Sequence, residues 1–137
     1  MRQARKVMRF PKTATSVEQW MRVAGWIGLG LILIVSLVPG PERPHTGLSG
    51  QMEHTIAYLM TATAYSWSSS RLQERLAWLA FLSAVSGGLE VCQLVIPGRN
   101  GQVIDWAASS FGASIGTILG WLARTIVSQA GERRLSG

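Results

Sequence analysis

The sequence predicts an all-α membrane protein: a four-transmembrane-helix bundle with both termini cytoplasmic. Three observations carry this. Only 15% of the 137 residues are charged, against 47% hydrophobic, where a soluble domain is about a quarter charged. The charges sit at the chain ends and in short spacers between long apolar runs, whereas a soluble protein spreads them along every helix face. Finally, Lys and Arg alternate in abundance from one spacer to the next, as membrane insertion requires.

A basic segment, residues 1–19, leads into the first span, about Trp20 to Val38. Thr15 with Glu18, and Ser16 with Gln19, fit the capping-box spacing, so the helix is expected to start before the membrane does. Pro39-Gly40-Pro41 ends it. A basic leader before an apolar core also fits a signal peptide, but Pro-Gly-Pro-Glu offers no small-x-small cleavage site and further spans follow. An anchor is expected. Span two, about 53–70, is the weakest, because it carries Thr61, Thr63, Tyr65 and Ser66 and is short against the roughly 20 residues needed to cross. It is credible as a packed helix whose hydroxyls bond to neighbours or to its own carbonyls. Span three runs from about Leu76 to Ile96, stopped by Pro97-Gly98, and span four from about Ile104 to Val127. The membrane domain is then 20–127, with 128–137 a cytoplasmic tail.

Of the 13 Lys and Arg, all but Arg43 and Arg99 fall on the side of the termini and the loop between spans two and three. The positive-inside rule puts that side in the cytoplasm. Trp20, Trp67, Trp78 and Trp121 fall near the inner interface and Trp106 near the outer one, as aromatic belts do. Trp26 lies deeper and is read as packing. The net charge of +6 is spent on orientation, so nucleic-acid binding is not expected. Cys92, the single cysteine, excludes an internal disulfide and is read as a small buried hydrophobe.

Ala108, Gly112, Gly116 and Gly120 recur every four residues on span four. They form a smooth stripe that lets a neighbouring backbone approach closely, with dimerisation as a lesser use. Gly87-Gly88 offers a second close-contact site.

Separate stretches deliver polar groups to the outer level: Glu53 and His54, Glu90 and Gln93, Arg99, and Asp105 on the face of the stripe. Glu90 lies about two turns inside Pro97, where an unpaired carboxylate costs several kcal/mol. His54 and Arg99 are its expected partners, and Arg99 and Asp105 are expected partners of each other. The cluster is either a polar clamp locking the helices together or a functional site. Tyr58, one turn after His54, either donates into it or sits at the interface. His45 is read as solvated. Glu90 with His54 would make an acid–base pair. His54, Glu53, Glu90 and Asp105 show no metal-ligand spacing, so neither metal nor cofactor is expected. Ser109 and Ser110 lack a nucleophile motif.

Val38-Pro39-Gly40, Glu53-His54-x-x-Ala57-Tyr58, Gly88-x-Glu90-x-x-Gln93-x-x-x-Pro97-Gly98-Arg99, and Asp105 with Gly112 and Gly116 together resemble the VanZ-like family of small bacterial integral membrane proteins. The resemblance covers about 31–120, and Glu90 to Arg99 with Asp105 is its most specific part. The sequence departs from the common pattern at Gly50-Gln51, where the family often has Asp-Lys, and at Ser109, where it often has Asn. The resemblance implies the bacterial cytoplasmic membrane and a cell-envelope role, with a link to teicoplanin-type glycopeptide resistance.

The leading expectation is an outward-facing polar pocket, centred on Glu53, His54, Tyr58, Glu90, Gln93, Arg99 and Asp105, that binds a polar ligand or lipid headgroup. The alternatives are an enzyme acting on a lipid-linked cell-wall precursor, and a helix-packing subunit of a larger complex or homo-oligomer.

Overall fold

The computed structural model describes residues 16–42 and 47–135. The basic leader, Arg43 and His45 therefore lie outside the described residues, apart from Ser16 to Gln19. Four helices follow in order: α1 Ser16–Leu37, α2 Gly50–Ser68, α3 Leu72–Gln93 and α4 Val103–Leu135, with a short 3-10 turn at Gly40–Glu42 after α1. Three of them, Ser16–Leu37, Leu72–Gln93 and the Val103–Gly131 part of α4, are long and apolar enough to cross a membrane. The more polar α2 is not among these.

Its polarity is accommodated by position. Tyr58, Thr61, Ala62, Ala64, Tyr65, Ser66 and Ser68 of α2 are buried, whereas Leu31, Ile34, Val91, Ile104, Phe111 and Ile118 of the other helices are exposed. The hydroxyls of Thr55, Thr61 and Thr63 donate to the carbonyls of Gln51, Ala57 and Leu59, each at 2.8 Å. Ser66 donates across to the Thr117 carbonyl at 2.6 Å. A helix whose hydroxyls are bonded this way carries little polar cost into an apolar setting.

The stripe on α4 is spent on α2. A Cβ added at Gly112, Gly116 or Gly120 would run into the backbone carbonyls of Thr55, Leu59 and Thr63 respectively. Thr55 also donates to the Ala108 carbonyl at 3.3 Å. The stripe is covered within the chain, so it is not free for dimerisation. A second close approach, not anticipated, lies on α1: a Cβ on Gly25 would stand 2.9 Å from the Tyr65 ring and one on Gly28 2.5 Å from the Thr61 hydroxyl. Trp26 packs edge-on against Tyr65 and Trp78, which stack at 3.9 Å between centroids. The expectation for Gly87-Gly88 needs correction. A Cβ on Gly87 would stand 3.5 Å from the Trp106 ring, an ordinary contact, and Gly88 faces open space. Cys92, expected to be buried, is exposed near the end of α3.

Arginines close two helix C-termini. Arg22, Arg75 and Arg124, from three different helices, donate to the carbonyls of Ser66, Trp67, Ser68 and Ser69 at the end of α2. Arg124 also pairs with Glu18. Cations suit these ends because the last carbonyls lack helical partners and carry the negative pole of the macrodipole.

Helix ends differ from the sequence reading by a turn or so. Ser49 caps α2, accepting from the Met52 amide at 3.4 Å. Glu74 reaches back to the amides of Ser70 and Arg71 and starts α3 early. α3 stops at Gln93, because the bonds of Leu94, Val95 and Ile96 tighten to three-residue turns ahead of Pro97. α4 continues to Leu135, so the expected tail is mostly helical. The Gly40 amide donates to the Pro97 carbonyl at 3.2 Å, joining the α1–α2 and α3–α4 connections at one end. The α2–α3 connection lies at the other, with the arginines.

Candidate functional site

The end where α2 and α4 begin and α3 stops gathers the acidic and imidazole groups. His54 sits in the second turn of α2, Glu90 in the last turn of α3, and Asp105 in the first turn of α4. One ligand-capable atom from each lies within 4.8 Å of the other two. The sequence shows no metal spacing because there is none to show: each donor comes from a different helix.

The environment of each is specific. Asp105 accepts from the Gln51 side-chain amide at 2.8 Å, and its other oxygen stands 3.9 Å from His54 Nε2. As a first-turn residue it also faces the positive pole of α4. Ser109 donates to the Asp105 carbonyl at 2.8 Å and stands 3.3 Å from His54 Nδ1. Its hydroxyl proton being engaged, the serine oxygen is placed to accept from Nδ1, while Nε2 faces Asp105. One oxygen of Glu90 accepts the Gln102 amide at 2.8 Å. That amide opens α4, so a carboxylate at the unfavourable C-terminal end of α3 is held by the favourable N-terminal end of α4. Gly101 permits this approach, since a Cβ there would run into the Glu90 carbonyl.

The other Glu90 oxygen, Oε1, is buried without a hydrogen-bond partner, as are the hydroxyls of Tyr58 and Ser86. Among the described residues no Lys or Arg pairs with Glu90 or Asp105.

Two expected members do other work. Gln93 donates to the Ser36 carbonyl at 3.2 Å. Arg99, expected to pair with Glu90 or Asp105, donates to the carbonyls of Val35 and Val38 and so closes the end of α1. A helix end with open carbonyls competes well for a guanidinium. Glu53 diverges from His54 around α2 and stays outside the triad, at the mouth of two cavities.

The first cavity is an apolar groove of about 370 Å³ between α1 and α2, walled by Leu31, Ile32, Val35, Ala57 and Met60 among others. The second is a polar vestibule of about 530 Å³, lined by Gln51, Asn100, Gln102 and Asp105 among others. Both are bounded by Glu53, His54 and Arg99.

No family model, curated protein or solved structure matches the chain. What it does has to be argued from this end of the bundle.

Gln51 and Ser109, the positions where the sequence departs from the pattern it resembles, both touch the triad. Their helical spacing, three residues before His54 and four after Asp105, is the signal that points to them. The Gln102 amide has no such signal, because it reaches Glu90 through tertiary packing.

Proposed function

We propose that the chain is a VanZ-like protein of the bacterial cytoplasmic membrane whose outer end binds an amphiphile, with an acyl chain in the α1–α2 groove and a polar headgroup in the vestibule. The observation that carries this reading is the shared wall: an apolar and a polar cavity meet at Glu53, His54 and Arg99. An apolar groove with a few polar groups at one end is what an amphiphile requires. In this reading α2 is a fourth crossing and both termini are cytoplasmic, supported by the excess of Lys and Arg on that side. The envelope role and the tie to teicoplanin-type resistance rest on the sequence resemblance alone. Expression in a susceptible host, with teicoplanin susceptibility as the readout, tests them.

Mass spectrometry of lipids retained by the detergent-purified protein tests the binding. Ala57→Phe fills the groove and is expected to strip the retained species while the protein stays monodisperse. An unchanged lipid profile would sink the proposal. A second reading, an enzyme acting on a lipid-linked precursor, is favoured by the partnerless Glu90 oxygen beside a histidine. Labelled precursors incubated with the protein across pH and added metals decide it, absence of product counting against catalysis.

A further inference from the structure

We propose that His54, Glu90 and Asp105 form a divalent-cation site of the zinc type. Their donor atoms all lie within 4.8 Å of one another, so a common centre stands about 2.8 Å from each at most. Zinc bonds to imidazole nitrogen and carboxylate oxygen are about 2.1 Å long. Each donor therefore closes by about 0.7 Å or less, within the reach of a small side-chain rotation.

A second, independent observation points the same way. Glu90 is 8% exposed, and its Oε1 has no hydrogen-bond partner. A buried carboxylate oxygen in that state is costly unless a cation or proton satisfies it. Among the described residues the two carboxylates have no Lys or Arg paired with them, and His54 Nε2 faces Asp105 at 3.9 Å. Outer contacts of the kind that orient metal ligands are in place: Ser109 on His54 Nδ1, Gln51 on Asp105, and the Gln102 amide on Glu90. One imidazole with two carboxylates and no thiolate suits zinc or manganese better than calcium or copper(I). Three protein ligands leave a coordination position open. His54 and Asp105 line the vestibule, so that position is accessible to a phosphate or carboxylate oxygen from there.

The inference does not depend on lipid binding. The probe is metal alone, so metal binding without lipid retention, or the reverse, separates the two proposals. Purified protein, stripped with chelator and dialysed against Zn²⁺ or Mn²⁺, is expected to hold one ion per chain and to melt at higher temperature with it. His54→Ala, Glu90→Gln and Asp105→Asn are each expected to weaken binding at least tenfold, while Cys92→Ser leaves it unchanged. Should a variant fail to fold, the spectrum of wild-type protein loaded with Co²⁺ decides. Ligand-field bands of a nitrogen–oxygen site support the assignment. A thiolate charge-transfer band, binding that survives all three substitutions, or no binding by the wild type overturns it.

Discussion

Ser109 holds the His54 ring, and it does so from inside α4. Its proton is committed to the Asp105 carbonyl at 2.8 Å, and its oxygen faces His54 Nδ1 at 3.3 Å as an acceptor. Ser109→Ala removes that acceptor and spares the helix, whose own amide bonds do not involve the side chain. The expected outcome is a folded protein whose cation affinity falls about tenfold to a hundredfold, the usual effect of losing an outer-shell partner. Titration with Zn²⁺ measures it. Gln51 acts differently, because its amide donates to the carboxylate itself. Gln51→Leu leaves one Asp105 oxygen without a donor and is expected to weaken the site. The same titration with Zn²⁺ compares the variant with wild type. Residue types alone led to His54, Glu90 and Asp105, since ionisable groups inside apolar runs stand out. Arg99 and Gln93 stood out equally and proved to be ties to α1, because a sequence shows which polar groups are present and not which helix end lies nearest.

At the scale of the element, α2 shows where the sequence was informative and where it was not. Its hydroxyls and the stripe on α4 were both legible, the first as a tolerated polar helix and the second as a close-contact face. That the two face each other was not, because helical periodicity gives a face but not its partner. The consequence is testable. Gly116→Leu drives a side chain into the Leu59 carbonyl and should cost about 3 kcal/mol, the upper end of ordinary overpacking. Gly88→Ala, facing open space, should leave stability unchanged or slightly raised, since alanine is the better helix former. Unfolding in mixed micelles compares the two. The arginine collar gives a second contrast. Arg75 is buried and donates to the Ser66 and Ser69 carbonyls. Arg75→Leu removes one charged donor from each, with Arg124 still on Ser69 and the Ser69 amide still on Ser66, and is expected to destabilise by about 2 kcal/mol in the same assay.

For the whole molecule, the ties at the two ends fix how the helices run. Arg22 near the start of α1 reaches Ser68 at the end of α2, and Glu18 meets Arg124 late in α4. At the opposite end Gly40 meets Pro97, and Gln51 early in α2 meets Asp105 early in α4. α2 therefore runs antiparallel to α1 and reaches from one level to the other. Its 19 residues extend about 28 Å, close to the roughly 30 Å of a bilayer's hydrocarbon core. That length supports the proposal that α2 is a fourth crossing, despite its low hydropathy. With Arg22, Arg71, Arg75 and Arg124 at one end, that end is expected in the cytoplasm and the triad at the other. Single cysteines placed at Leu48 and Ser70, which flank α2, in a Cys92→Ser background test both points at once. In intact cells a membrane-impermeant maleimide should label position 48 and spare position 70 until the membrane is opened. Labelling of both from outside would mean that the chain between them does not cross. The reverse pattern would turn the site toward the cytoplasm, and the amphiphile it serves would then have to come from the inner leaflet.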